Sequence, residues 1–137
     1  MADTVLADAN VLLDILTADP VWLPWSSAEL QKARANGPVI VNPIICAEIA
    51  PAFDCDWQRL DRWLRPGSFY RETLPFEASV IAAAAHASYR SRGGKRDTPL
   101  PDFYIGAHAE AAGHVLLTRD AARYRTYFPK VTLIAPP

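Results

Sequence analysis

The stretch Val5-Leu6-Ala7-Asp8-Ala9-Asn10-Val11-Leu12-Leu13-Asp14-Ile15-Leu16 decides how the chain reads. A short apolar run gives way to a helical rhythm, with Val11, Leu12, Ile15 and Leu16 on one face at the helical period. The stretch therefore predicts a strand that runs straight into a helix. Asp8 stands at the junction, and Asn10, a good helix-capping residue, follows it. In open α/β sheets ligands bind just beyond the carboxyl ends of the strands. Asp8 thus marks an edge at which further acids would carry chemistry.

Outward from this stretch the pattern repeats. Ser26 and Glu29 have the spacing of a capping box, which predicts a helix from near Ser27 to Asn36-Gly37. Val39-Ile40-Val41 is a buried-strand run, and Pro43 opens a helix carrying Ile44, Ile45, Ala47, Glu48 and Ile49. Asp56 caps a helix with the apolar stripe Trp57, Leu60, Trp63 and Leu64. The run from Phe69 to Leu74 alternates loosely, as an edge strand does. Pro75 then starts a long helix to about Arg90, and its Ile81-Ala82-Ala83-Ala84-Ala85 run allows close approach of neighbouring backbone. After a basic loop from Arg92 to Leu100, Pro101 opens a helix with Asp102 in its first turn, ended by Gly113. His114-Val115-Leu116-Leu117 and Val131-Thr132-Leu133-Ile134 are the last strands, with Thr118-Arg119-Asp120 and a short helix between them. Strands alternating with helices predict an α/β fold: one domain over residues 1–137, with a central five-stranded parallel sheet flanked by helices on both faces.

Composition is that of an ordinary globular chain: 137 residues, half hydrophobic and 21% charged. No apolar run reaches the length of a membrane span, and Met1-Ala2-Asp3 lacks the layout of a signal peptide, so a cytoplasmic protein away from membranes is expected. Cys46 and Cys55 have neither metal nor redox spacing. The formal charge of −1 does not suggest a nucleic-acid binder, yet neutralising four acids would leave 14 bases facing 11 acids.

Four acids are the candidates for chemistry. Asp8 ends the first strand, Glu48 lies on an apolar helix after the second, and Asp120 stands just past the fourth. Asp102 joins them if its helix points its N-terminus to the same edge. Singly, Asp102 and Asp120 suit first helical turns, where a carboxylate meets the positive end of the dipole. Together, carboxylates repel one another and raise each other's pKa, and they become stable when they hold a hard divalent cation such as Mg2+ or Mn2+. Such a site suits hydrolysis of a phosphodiester by a metal-activated water, leaving 5′-phosphate and 3′-hydroxyl ends. The chain has no phosphate-binding glycine loop, dinucleotide fingerprint, zinc-binding His-Glu pattern or nucleophile elbow. His86, His108 and His114 read as structural or surface residues. A phosphoacceptor receiver domain is an alternative, since it too gathers acids at strand ends.

The chain resembles the PIN-domain ribonucleases, and within them the VapC toxins of toxin–antitoxin modules. The resemblance rests on the opening stretch, on Asn42-Pro43-Ile44-Ile45-Cys46-Ala47-Glu48, on Pro101-Asp102-Phe103-Tyr104-Ile105-Gly106-Ala107-His108-Ala109, and on Leu116-Leu117-Thr118-Arg119-Asp120 with Tyr124 and Tyr127-Phe128-Pro129. It implies an endoribonuclease whose acidic quartet Asp8, Glu48, Asp102 and Asp120 binds Mg2+ or Mn2+, supported by Asn10 and Thr118. It also implies a cognate VapB-type antitoxin, a homodimer, and structured RNA such as transfer or ribosomal RNA loops as substrate. A PIN-like module that only binds RNA is disfavoured by the complete quartet.

Lys95, Arg96, Arg119 and Arg123 are candidates for gripping RNA phosphates. Tyr104, Tyr124 and Trp25 are candidates for stacking on unpaired bases, although aromatics at helical spacing also fill cores. Trp22, Leu23, Trp25, Trp57 and Trp63 fit two readings, a core or an apolar groove for an antitoxin segment.

Overall fold

Five strands form one sheet: β1 (Val5–Ala7), β2 (Val39–Val41), β3 (Tyr70–Arg71), β4 (Val115–Leu117) and β5 (Leu133–Ile134). In the computed structural model, which describes residues 4–93 and 100–137, the strand order is β3-β2-β1-β4-β5 and every neighbouring pair is parallel. The strands of the sheet's centre, β1 and β2, are buried throughout, as apolar runs of a parallel sheet covered on both faces should be. Leu6 lies opposite both Ile40 and Leu116, and Ala7 opposite Leu117. This register brings Asp8, Asn42 and Thr118, the residues that follow β1, β2 and β4, to the same carboxyl edge. Backbone bonds extend the ladder there: Asp8 N–H donates to Leu117 and Glu72 N–H to Val41.

The strand order overturns the receiver alternative. A receiver-type sheet runs 2-1-3-4-5 and places its first strand between the second and third. Here β1 lies between β2 and β4. The order reverses direction at the β1/β4 boundary, so the crevice for a ligand opens between the ends that carry Asp8 and Thr118.

Seven α-helices cover the sheet: α1 (Ala9–Leu16), α2 (Leu23–Asn36), α3 (Pro43–Ile49), α4 (Trp57–Trp63), α5 (Glu77–Ser91), α6 (Tyr104–Ala112) and α7 (Ala121–Tyr127). Small residues set the closest packing. Ala78, Ala82 and Ala85 form the buried face of α5, which packs mainly on α6. On α6 a Cβ at Gly106 would lie 2.5 Å from the Phe128 ring, so only glycine fits that contact. Among the described residues no helix is long and apolar enough to cross a membrane.

Several local expectations give way to tertiary contacts. Asp8, not Asn10, is the cap of α1. The second helix begins at Leu23 rather than near Ser27, because Asp19 takes the Val21 and Trp22 N–H groups while Ser26 lies inside the helix and donates to buried Asp14. Pro75 precedes α5 by two residues. Pro101 opens a 3-10 turn, Leu100–Phe103, which holds Asp102 ahead of α6. On α4 the buried stripe is Leu60 with the adjoining Leu64, and Trp57 faces solvent at 62% exposure.

Candidate active site

Asp8 is 4% exposed and carries the densest set of donors at the edge. Its Oδ1 accepts from the Ala9 N–H at 2.8 Å. Its Oδ2 accepts from the Thr118 hydroxyl at 2.7 Å, the Tyr124 hydroxyl at 3.1 Å and Asn10 Nδ2 at 3.4 Å. Thus Oδ2 is filled, and Oδ1 is the oxygen with a lone pair to spare. Burial pushes the Asp8 carboxyl up from the ordinary carboxylate range; the bonds from Thr118, Tyr124 and Ala9 oppose it, and the charge of Asp120 adds to it. The Tyr124 hydroxyl, pushed well above its usual value by burial and by Asp8, remains a donor.

Asn10 and Thr118 meet each other as well as Asp8. Asn10 Nδ2 lies 3.4 Å from the Thr118 hydroxyl, and Asn10 Oδ1 accepts the Arg119 N–H at 3.2 Å. The same hydroxyl accepts the Asp120 N–H at 3.0 Å, which ties the start of α7 to the floor of the site.

Glu48 lies on the exposed side of the last turn of α3. Its carboxyl is pushed up to about 7, by burial first and then by the charges of Asp8 and Asp102, with Arg123 opposing. Asp120 acts on Asp8 in the same way. The four acids of the quartet are therefore linked by repulsion, Asp120 to Asp8, Asp8 to Glu48 and Glu48 to Asp102, although they come from four segments. Arg123, 3.6 Å from the Asp120 carboxylate, is the base that relieves part of it. Their oxygens are of the kind a hard divalent cation takes, but no three of the four bring ligand atoms within 4.8 Å of one another, so the match to such an ion is one of donor type and charge.

The other candidates sit as follows. Arg119 clamps Asp14, with Nε 2.7 Å from Oδ2 and an Nη 2.9 Å from Oδ1, and stacks on Trp22 at 5.0 Å. Lys95 and Arg96 lie outside the described residues. Tyr124 is 2% exposed and belongs to the core, so it is not a stacking platform. Trp25 and Trp63 pack against the core, and Tyr104 does so from a half-buried position.

A second polar cluster escaped the sequence. Among the described residues, Glu72, His108 and His114 form the set of donors whose ligand atoms lie within 4.8 Å of one another, close enough for a metal ion to bridge. Glu72 Oε1 is 2.8 Å from His108 Nε2 and 2.7 Å from His114 Nε2. These partners are 36 and 42 residues apart. The local signals were two histidines and a glutamate past an edge strand, none of which names its partner.

No family model matches the chain. No curated protein matches it either. Solved structures do. Over 98% of its length it superposes on 99% of a chain of VapBC2 from Rickettsia felis bound to a promoter DNA fragment, with a TM-score of 0.73 and 14% identity. For FitAcB from Neisseria gonorrhoeae the figures are 95% and 96%, 0.67 and 18%. For DNA-bound VapBC from Salmonella typhimurium they are 98% and 98%, 0.69 and 14%. At these identities the likeness concerns architecture, and the chain has the PIN-like fold that chains of the VapBC and FitAB toxin–antitoxin complexes share.

Proposed function

We propose that this chain is a Mg2+- or Mn2+-dependent endoribonuclease, the toxin of a toxin–antitoxin module. One observation carries the reading. Asp8 couples by charge with Asp120 and Glu48, and Glu48 with Asp102, and Asp8 ends one of the two strands between which the sheet order reverses, where a parallel sheet binds its ligands.

Asp8, Glu48, Asp102 and Asp120 would hold the ion. Bound there, it supplies an activated water and neutralises charge on the phosphate and the leaving oxygen. The chain's own residues do the rest. Thr118, Tyr124 and Asn10 hold Asp8 through Oδ2 and leave Oδ1, bonded to the Ala9 N–H, with capacity to spare. Thr118 also anchors the turn that carries Asp120. Arg123 is the described cation beside the quartet and is suited to a substrate phosphate. Arg119 supports the site through Asp14, and Lys95 and Arg96 complete the set of bases proposed to grip RNA.

The partners are a structured RNA, a cognate antitoxin and a second copy of the chain. Phe76 and Val80, 93% and 69% exposed and one helical turn apart at the start of α5, offer apolar surface for such contacts. Purified protein, alone and with the product of the neighbouring open reading frame, should be given RNA with Mg2+, with Mn2+ and with excess chelator. Cleavage that needs the metal, leaves 5′-phosphate ends and stops with the partner is expected. Cyclic-phosphate ends, or full activity in chelator, would overturn the reading.

A further inference from the structure

The Glu72–His108–His114 cluster lies outside the acidic quartet and touches the helix that carries one of its members. The helix α3 is seven residues long and begins with Pro43, which has no N–H. In its first turn the Ile45 N–H is capped by Asn42 Oδ1 at 2.8 Å. Asn42 is 2% exposed, so no water competes for that bond. With Oδ1 committed as an acceptor, the nitrogen Nδ2 is what faces His108, 2.9 Å from Nδ1.

An amide nitrogen only donates. His108 Nδ1 must therefore be bare, and the ring proton sits on Nε2. That proton points at Glu72 Oε1, an acceptor, 2.8 Å away. The same oxygen receives His114 Nε2, whose Nδ1 meets the Thr4 hydroxyl. One arrangement of protons satisfies the whole chain from Ile45 to Glu72, and among the described residues no buried side-chain nitrogen or oxygen lacks a partner. Burial also disfavours the charged form of His108, against the pull of Glu72.

The spacing of these donors would suit a metal, but the proton on His108 Nε2 occupies the position a metal would need. Moving it to Nδ1 sets N–H against N–H at Asn42. Turning the Asn42 amide over instead sets its NH2 against the Ile45 N–H and removes the cap. The cluster is built to keep its proton.

We infer that His108, fixed as its Nε2–H tautomer between Asn42 and Glu72, is a positioning residue that sets Glu48 against Asp102. His108 lies on α6, six residues after Asp102, and Asn42 caps α3, six residues before Glu48. Their hydrogen bond fastens the two segments together. The inference rests on the metal-binding role proposed for the quartet, and its test does not require RNA.

The test uses the full chain and three readouts. Long-range 1H–15N spectra should show His108 protonated at Nε2 with Nδ1 bare. The Ile45 amide should exchange faster in His108→Leu and in the milder Glu72→Gln, chosen in case the first variant folds poorly. Mn2+ binding, followed by electron paramagnetic resonance of the free ion, should weaken about tenfold in His108→Leu, as is usual when the residue orienting a ligand is lost. The same change should have little further effect in a Glu48→Gln background, because both act through one carboxylate. Additive effects on Mn2+ affinity, a Nδ1–H tautomer, or stoichiometric Zn2+ binding that shifts the His108 and His114 resonances would overturn the inference. Wild-type protein that binds Mn2+ but cleaves no RNA would sink the proposed function and leave this one standing. Unchanged Ile45 exchange in both variants would sink this one alone.

Discussion

The two polar clusters use the same kind of group in opposite ways. At the carboxyl edge, Glu48 is pushed up to about 7 because burial and its acidic neighbours disfavour its charge. At Glu72, burial pushes the carboxyl up too, but the bonds from His114 and His108 more than offset it and hold it below its usual value. The second cluster is complete within the chain, whereas the proposed function completes the first with an ion from outside. A carboxylate that its fold fails to satisfy points to a ligand, whereas one met by donors points to architecture.

The largest effect should come from breaking the first cluster at its centre. Asp8→Asn should abolish RNA cleavage and Mn2+ binding while circular dichroism shows a folded protein, since Asn keeps the shape and the contact to Ala9 and the Thr118 and Tyr124 hydroxyls can turn to accept from its new NH2. Arg119→Ala should come next, as a loss of stability and not of chemistry. It leaves Asp14, 2% exposed, with the Ser26 hydroxyl as its remaining side-chain partner. Breaking such a pair costs about 3–5 kcal/mol when both partners are fully buried. Because Arg119 is 27% exposed, about 2–3 kcal/mol in urea unfolding is expected after discounting for solvent. A stable Arg119→Ala protein with weakened RNA binding would instead return Arg119 to the substrate.

The second cluster breaks at Asn42. Asn42→Ala removes a helix cap, about 1 kcal/mol, and leaves His108 Nδ1 unpaired, about 1–3 kcal/mol. A loss of about 2–4 kcal/mol should appear in the same unfolding assay.

The smallest effect is a difference in pH dependence, and its sign separates the two regions. Glu48 has a folded pKa of about 7 against an ordinary 4.5. The folded state binds more protons in that window, so its contribution weakens as pH rises from 4.5 through 7. His108 and Glu72 have folded values below the ordinary 6.5 and 4.5. Their contribution is present above those values and is lost as acid is added, from His108 below 6.5 and from Glu72 below 4.5. In chelator, Glu48→Gln should therefore melt above the wild type at pH 8 and match it near pH 4.5. A wild-type advantage at pH 8 would mean that the quartet is not repulsive.

Much of the fold was legible because it is written locally. The apolar runs at Val5–Ala7 and Val39–Val41, the helix start at Pro43, the cap at Asp56 and the stop at Gly113 act within a few residues. Asp8 was legible as a carboxylate at a strand end, and Glu48 as one on an apolar helix. What failed did so where a distant partner outbid a neighbour. Ser26 matched a capping box, yet its hydroxyl goes to Asp14. Arg119, expected on an RNA phosphate, has its guanidinium on Asp14, a partner the sequence did not show. Tyr124 looked free to stack, yet Asp8 takes it. Asp14 itself gave no signal, since its partner lies 105 residues away.

The position of β1 in the sheet has a consequence for the newborn chain. Asp8 leaves the ribosome well ahead of the hydroxyls that hold it, which belong to Thr118 and Tyr124, 110 and 116 residues downstream. Until β4 docks beside β1, the acid has neither its supports nor its neighbour Asp120. Contacts of such long sequence separation form late and slowly. A half-made copy therefore carries a strand and an aspartate but no assembled pocket, and whatever chemistry the pocket supports waits for the finished chain.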